Sequence, residues 1–489
     1  MATRVPIADL ASLAELASAA AKRFGDNPAL VRATAVGGAG LSYRALDDLV
    51  ARGAGALSEL TPGSRVLLAV DPSPEWAAAL FAILRAGLVA VPVAPSVDQG
   101  ALRTIVSFTT PAAAVFSDRT KSLSGLLGAV PPVVLSDWPD LFPATGVKTR
   151  RDDLALLAFT SGSTDRPRAV ELTHGNLLAN LASLLAVRTV GPGDALLSML
   201  PPSHLFELMA GLFAPLACGA RVVYPGSPLP NRLVDSICDD GITHALAVPA
   251  LVPLLYGEMT TRDEGPSRLK TLMVGAAALS SEWNARLAAL GISLDVGYGL
   301  TEAAPIVNVA TAGECPDGSV GRALPGVDLR VEDGEVLVRG ENVMRGYFRD
   351  PEATGRTLVD GWLRTGDRGV IDPEGNLTIT GRLKEAIVTS AGTTIYPEEA
   401  EPFYRSPLFA EAAVAALTGT DGNDLPVLFV TAADGVGEDE LEKAFTSLRA
   451  AAPVRLRLAR LVRRREPLPR TATGKVMRHL LTGEEGRDE

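Results

Sequence analysis

Cysteine is scarce in this 489-residue chain: only Cys218, Cys238 and Cys315 occur. Thiols at that spacing fit neither a zinc site nor a disulfide framework, so a reducing cytoplasm is the natural compartment. A cationic excess is also missing. There are 46 Lys and Arg against 57 Asp and Glu, a net charge of −11, which disfavours broad nucleic-acid binding. Long apolar runs are absent too. The longest, Leu208 to Ala220, holds a proline and is too short to span a bilayer, so no membrane span is expected. The N-terminus reads as an amphipathic Ala-rich helix broken by charges, with no secretory signal. Neither a repeat at a fixed period of 20–50 residues nor a GxxxxGK(S/T) phosphate loop is present.

What is there describes an ordinary globular protein: 47% hydrophobic and 21% charged residues. At about 150 residues per domain the length suggests roughly three domains or large subdomains. The 47 glycines and 35 prolines are spread along the chain, which implies many loops and no low-complexity tail.

From about residue 10 to 310 helical segments alternate with short apolar runs. LAELASAAAKRF, PEWAAALFAILRAG and HGNLLANLASLLAVR read as helices. SRVLLAV, LVAVPVAP, LALLAFT, ARVVYPG, THALAVPA, LKTLMVGAAAL and ISLDVGYG read as strand-and-loop units. Apolar runs of that length between helices predict helices packed on a mostly parallel sheet. From about 319 to 383 the texture changes. VDLRVEDGEVLVRG and GNLTITGR alternate apolar with polar residues around Asp-Gly and Glu-Gly turns, which is hairpin chemistry. The reading is therefore an α/β chain. Residues 1–383 form a large domain of helix-flanked sheets with a small antiparallel β-subdomain, and residues 384–489 form a small α+β domain.

Four segments carry candidate chemistry. Thr160-Ser161-Gly162-Ser163-Thr164-Asp165-Arg166-Pro167-Arg168 follows a predicted buried strand. Its hydroxyls and backbone N–H groups can wrap phosphate oxygens, and arginine can neutralise them; a polar surface turn is the plainer alternative. Gly297-Tyr298-Gly299-Leu300-Thr301-Glu302 ends another predicted strand. Glycines flanking a tyrosine let its ring lie against a flat ligand, and the carboxylate can hold Mg²⁺; a Gly-rich turn ending a strand is the alternative. Asp367, in Thr365-Gly366-Asp367-Arg368-Gly369, can accept two hydrogen bonds from a vicinal diol, and Arg382 lies fifteen residues on. The alternative there is a hairpin with a surface ion pair of small energetic weight. Finally, Lys475 follows glycine in the Thr-rich loop Pro469-Arg470-Thr471-Ala472-Thr473-Gly474, as a mobile cation or a plain solvated one.

These four segments, in this order, resemble the adenylate-forming superfamily: acyl- and aryl-CoA synthetases, peptide-synthetase adenylation domains and luciferases. The resemblance covers roughly residues 10–480. FTSGSTDRPRAVELTHGNL looks like the family's phosphate loop and YGLTE like its adenine and magnesium motif. GWLRTGDRG and GRLKEAIVTSAGTTIYPEEAE look like its ribose and hinge motifs, and PRTATGK like its catalytic-lysine motif. The family activates a carboxylate with ATP to an acyl-adenylate, releasing pyrophosphate, and a thiol then displaces AMP.

The resemblance implies roles for individual residues. Thr160, Ser161, Gly162, Ser163 and Thr164 would contact the triphosphate, with Arg168 supplying charge. Thr301 would contact the α-phosphate and Glu302 would hold Mg²⁺. Tyr298, between Gly297 and Gly299, would stack on adenine, with the Gly275-Ala276-Ala277 turn on its other face. Asp367 and Arg382 would bind ribose, Lys475 would bridge carboxylate and α-phosphate, and Lys384 would be the hinge of a domain swing. Such a swing makes physical sense, because a thiol cannot reach the carbonyl while pyrophosphate and the lysine crowd it.

The departures from the family pattern are local. Asp165 replaces a glycine beside the polyphosphate, and Arg168 keeps the charge of the usual lysine but not its point-like geometry. Val296 stands where an amide often reads the adenine amine, and Val388 where luciferase-like members have lysine. LPPSHLFELMAG resembles the His-bearing gate segment of fatty acyl- and aryl-CoA synthetases. The acid pocket is therefore expected around His204, Phe206, Ala278, Ala304 and Pro305, with His204 as gate or as a packed core histidine. Leu205 occupies the position of the aspartate that pairs an α-ammonium in amino-acid-activating relatives, so an apolar aliphatic or aromatic acid is expected. Glu207 is a carboxylate that could in principle meet a remote amine.

Seven arginines between Arg455 and Arg470 form a basic stretch that can meet the phosphates of CoA or an acidic acyl-carrier protein, with a solvated face balancing acidic neighbours as the alternative. The compact chain shows no room for the insertion by which fatty acyl-AMP ligases obstruct CoA, so CoA is the expected acceptor thiol. A stand-alone enzyme loading the phosphopantetheine of a carrier protein is one alternative. A catalytically impaired nucleotide-binding protein, motivated by Asp165 and Arg168, is another.

Overall fold

The computed structural model describes residues 4–94, 96–140, 143–159, 168–188, 190–262, 265–275, 281–311, 313–389, 393–418, 424–471 and 474–481. By packing these fall into two compact units. Unit 1 comprises Met1–Leu329 and Val338–Leu363, and unit 2 comprises Arg330–Leu337 and Arg364–Glu489.

Two sheets organise unit 1. Their strands are β1 (Pro28–Arg32), β2 (Gly40–Ser42), β3 (Arg65–Ala69), β4 (Val89–Pro92), β5 (Ala113–Phe116), β6 (Pro132–Val134) and β7 (Leu154–Phe159). They continue with β8 (Ala169–Thr173), β9 (Ala195–Leu197), β10 (Arg221–Tyr224), β11 (His244–Ala247), β12 (Thr271–Val274), β13 (Ser293–Gly299) and β14 (Ile306–Thr311). One sheet runs β14-β13-β12-β11-β9-β10-β1-β2. It is parallel from β13 to β1 and antiparallel at both edges. The other runs from the short strand Gly346–Tyr347 through β8, β7, β4, β3 and β5 to β6.

The strands read as unbroken apolar runs because both faces are covered. On the first sheet Leu196, Val222, Leu246 and Met273 join one core, while Ala195, Leu197, Val223, Ala245, Leu272 and Val274 join another on the opposite face. On the second sheet Val66, Leu68 and Ala90 share that first core, and Leu67, Ala69, Val89 and Val91 face a separate one. The shared core thus lies between the sheets and takes in α1 (Leu16–Phe24), α2 (Tyr43–Ala56), α3 (Pro74–Arg85) and α5, with α4 (Gln99–Thr109) packed in the outer core and α5 spanning His174–Val187. Helix α3 is buried from Trp76 through Leu84, consistent with its apolar composition on every face. It starts at Ser73, whose hydroxyl accepts the Trp76 amide, with Pro74 at the first helical position. Helix α5 starts with a reciprocal capping box between Thr173 and Asn176.

Unit 2 holds an antiparallel pair, the end of Trp362–Ile371 against Leu377–Arg382. It also holds a three-stranded sheet. Phe409–Thr418 pairs antiparallel with Asp424–Ala432, which pairs in parallel with the edge strand Arg460–Arg464. Helix Glu438–Ala451 covers one face through Leu441 and Phe445, which pack with Val414, Leu428 and Val430. Ala413, Ala415, Val427, Phe429, Leu468 and Leu481 pack on the other face. The architecture is α/β, a large unit of helix-flanked sheets with a small α+β unit. Lys384 lies inside unit 2.

Candidate active site

Strand β13 ends at Gly299, and the chain then turns back into β14 through a one-turn 3-10 helix, Thr301–Ala303. The turn is tight. The Leu300 amide donates to the Pro305 carbonyl at 3.0 Å, and Ala304 adopts a left-handed backbone with φ of 61°. A Cβ on Gly299 would land on that same Pro305 carbonyl oxygen, so glycine is required by close approach. Two asparagines lock the turn. Asn180 of α5 donates to the Ile306 carbonyl at 2.6 Å and accepts the Ile306 amide at 3.2 Å. Asn342 donates to the Ala303 carbonyl at 2.8 Å. Fixing this backbone fixes Thr301 and Glu302, both half-buried.

Glu302 does not stand alone. The Tyr347 hydroxyl donates to its Oε1 at 2.8 Å, and the Met344 amide donates to its backbone carbonyl at 2.8 Å. Tyr347 lies on the two-residue strand that pairs with β8, and the Arg168 guanidinium sits 5.7 Å from its ring centroid. Burial and the neighbouring Glu302 charge push the Tyr347 phenol well above its ordinary value, so it remains a donor at any working pH. Sequence reasoning points to Arg168 and Glu302 but misses Tyr347, which joins them. The only cue is a tyrosine after glycine in Arg345-Gly346-Tyr347, 45 residues from its partner.

Around Phe206 three expected site segments meet. A Cβ on Gly275, at the end of β12, would lie 3.1 Å from the Phe206 ring, and one on Gly297 3.9 Å from it. Phe206 therefore packs against the ends of two neighbouring strands. His204 is half-buried, and burial holds its imidazole below the usual range, so the ring is neutral at neutral pH. Ala304 and Pro305 are buried and build the turn after Gly299. Tyr298 is half-buried and packs against the core between the sheets. Thr160, Ser161, Gly162, Ser163 and Thr164, with Asp165, lie outside the described residues, as do Ala276, Ala277 and Ala278.

Glu207 differs from what its sequence position suggests. It opens a π-helix, Glu207–Phe213, and is 1% exposed. Neither carboxyl oxygen has a hydrogen bond of normal geometry. Burial pushes its pKa up to about 8, with Ser198 and the Leu200 amide offsetting only part of the cost. Burial therefore favours the protonated, uncharged form at neutral pH.

In unit 2, Asp367 and Arg382 face each other across the hairpin and pair at 2.9 Å. Asp367 is only 2% exposed, so this is no ordinary surface pair. Its amide donates to the Thr365 hydroxyl at 3.0 Å. Lys384 is exposed, within the 3-10 helix Leu383–Glu385. Lys475 sits in a turn closed by an isolated bridge between Arg470 and Val476. The Thr471 amide donates to the Lys475 carbonyl at 2.8 Å and the Lys475 amide to the Thr471 hydroxyl at 3.1 Å. Its Nζ lies 3.4 Å from Glu385 Oε1, a partner that no local spacing indicates.

Among the described residues no group of three or more His, Cys, Asp and Glu is arranged to hold a metal ion, and no helix is long and apolar enough to cross a membrane. A single anchored carboxylate such as Glu302 still suits Mg²⁺, which keeps waters and takes its other ligands from substrate phosphates.

Comparison with known proteins agrees with this geometry. A family model described as AMP-binding enzyme matches residues 17–348. A feruloyl-CoA synthase from an Amycolatopsis species is 31% identical over 471 residues, covering 91% of this chain and 94% of that protein. An indoleacetate–CoA ligase from Aromatoleum aromaticum is 29% identical over 469 residues, covering 89% and 91%. In fold, the crystal structure of ATP-bound MatB from Rhodopseudomonas palustris matches with a TM-score of 0.86 at 24% identity, over 96% of this chain and 98% of that one.

Proposed function

This chain belongs to the AMP-binding enzyme family as an AMP-forming acid–thiol ligase, and from that premise we propose that its acid is apolar and, by preference, aromatic. The enzyme joins a carboxylic acid to AMP with release of pyrophosphate and passes the acyl group to CoA. Leu205 is buried where an ammonium-binding relative would carry a counter-charge, and burial favours the uncharged form of Glu207. A charged amine on the acid would therefore be costly to bury. The names of the two relatives, a feruloyl-CoA synthase and an indoleacetate–CoA ligase, support an aromatic acid.

The observation that carries the catalytic reading is the anchored carboxylate of Glu302, with one oxygen held by Tyr347 and Arg168 against the same ring. Glu302 would hold Mg²⁺, which when bound neutralises phosphate charge. Thr301 would hydrogen-bond the α-phosphate, and Arg168 would neutralise phosphate oxygens together with residues 160–164. Tyr298 would stack on adenine beside the Phe206-packed strand ends. His204 would act as the gate between ATP and acid, in the neutral state that its burial favours. The buried carboxylate of Asp367 would accept the ribose hydroxyls, oriented by its pair with Arg382. Lys475 would bring the acid carboxylate to the α-phosphorus. Two anions must meet there, and a cation placed between them lowers that repulsion more than any other group could. Lys384 would be the hinge that removes the lysine before the thiol attacks.

The exposed Arg463, on the edge strand Arg460–Arg464, and the exposed Arg465 just beyond it support binding of an acceptor that carries phosphates. None of the three cysteines is in a disulfide, which supports a reducing compartment such as the cytoplasm. The test is a panel of carboxylic acids in a pyrophosphate-release assay, followed by CoA and a phosphopantetheinylated carrier offered separately. Release driven by aromatic acids and thioester formed on CoA are expected. Silence with every acid despite ATP binding would point to an impaired nucleotide-binding protein, and transfer to the carrier alone to a loading enzyme.

A further inference from the structure

Lys475 joins a linked cluster of charge in unit 2, with Glu385, Arg478, Glu398 and Glu401. Glu385 divides its two oxygens: Oε1 faces Lys475 Nζ at 3.4 Å, and Oε2 accepts Arg478 at 2.5 Å. Arg478 is itself held on three other sides, by Glu398 at 3.3 Å, Glu401 at 2.9 Å and the Val414 carbonyl at 3.0 Å. Its side chain is 13% exposed, against 29% for Lys475. The carboxylate is thus tethered on one side by a nearly buried arginine, while the lysine on the other side has room to move. The backbone at Lys475 is fixed by its turn, so the direction of the side chain is what remains to be set.

We propose that Glu385 is the positioning residue of Lys475: it presents the ammonium from a fixed point and hands it over when the substrate anions arrive. Arg478 makes the handover feasible, because Glu385 keeps a cationic partner after the lysine departs and no carboxylate is left unpaired. The proposal rests on the reading of Lys475 as the lysine of the adenylation step.

The charges facing Lys475 support this role. Burial and the cations Arg382 and Arg478 push its pKa down, and the carboxylates Glu385 and Glu398 hold it up. Burial pushes the Glu385 carboxyl up in turn, but Arg478, Lys475 and Arg382 outweigh it and keep Glu385 charged. Of the two carboxylates, Glu385 is the one within ion-pair distance of Nζ. Removing its charge leaves Glu398 alone to offset the two arginines, so the ammonium loses both its aim and part of its protonation.

The experiment measures the two half-reactions separately across pH, using the best acid from the panel. Adenylation is followed by pyrophosphate release, and thioester formation by turnover of supplied acyl-adenylate with CoA. Glu385→Gln should lower kcat for adenylation roughly 10- to 100-fold with KM for ATP little changed. It should also move the basic limb of that pH profile down by about one pH unit or more. Thioester formation should keep its rate and its profile. Glu385→Asp retains the charge at shorter reach and should restore the position of the basic limb. Lys475→Ala is the control for the underlying reading and should abolish adenylation alone. A wild-type adenylation profile in Glu385→Gln, with Lys475→Ala inactive, overturns the role of Glu385 and leaves that of Lys475 standing. Full adenylation by Lys475→Ala overturns both. Equal loss of both half-reactions in Glu385→Gln, with a lowered melting temperature, reduces Glu385 to a structural ion pair.

Discussion

Glu207 makes a sharp prediction about stability, because its carboxyl is buried without a hydrogen bond of normal geometry. Its pKa rises from 4.5 to about 8 on folding. Between those values the folded protein keeps a proton that the unfolded chain has released. The folded state then binds more protons, so this group's contribution to stability is greatest below pH 4.5, declines as pH rises, and levels off above pH 8. A tenfold difference in proton affinity between the two states is worth about 1.4 kcal/mol, which puts the loss between pH 5 and pH 8 at about 3–4 kcal/mol. Glu207→Gln keeps the shape and removes the titration. The wild type should therefore lose about 3–4 kcal/mol relative to this variant over that interval. Urea denaturation of both proteins at several pH values, followed by tryptophan fluorescence, reads the quantity directly. All four tryptophans, Trp76, Trp138, Trp283 and Trp362, belong to unit 1 together with Glu207. A difference between the two proteins that stays constant from pH 5 to pH 8 would show that Glu207 is ionised in the folded state, and the inference from burial would fall.

Two further outcomes test the turn after β13. Tyr347→Phe removes the hydrogen bond to Glu302 and should cut kcat/KM for MgATP about 10-fold, the scale of one hydrogen bond to a charged group, without lowering the melting temperature; unchanged kinetics would mean that water replaces the phenol at no cost. Gly299→Ala drives a methyl group into the Pro305 carbonyl and should destabilise unit 1 by at least about 3 kcal/mol while disrupting adenylation. A variant that melts and turns over like the wild type would show that the turn relaxes freely.

Much of the fold is legible in the sequence because the strands are buried on both faces. Runs such as Val66–Ala69 and Val89–Pro92 have no polar face to confuse the pattern, and α3 carries its own start signals in Ser73 and Pro74. The π-helix Glu207–Phe213 is not legible, since a segment apolar on nearly every side gives no phase from which to read its pitch. The chemical motifs are visible as local strings. Their partners are not, because the contacts that complete them are distant in sequence. Tyr347 meets Glu302 across 45 residues, and Arg478 meets Glu385 across 93. The Asp367–Arg382 pair is visible from its hairpin spacing, but the burial of Asp367, which takes it out of the class of weak surface pairs, depends on packing that no spacing encodes.

The chain crosses between its two packing units three times, at Leu329–Arg330, Leu337–Val338 and Leu363–Arg364. The smaller unit is therefore not a cassette that one cut can excise. A fragment begun after Lys384 would leave behind Arg368, which pairs with Glu399 at 3.7 Å and sits 4.8 Å from the Tyr396 ring centroid, and Asp367 with it. Anyone who wants to exchange tails between related ligases would have to transplant residues 330–337 along with everything from 364 onward, and a splice at the hinge alone would part Glu399 and Tyr396 from Arg368.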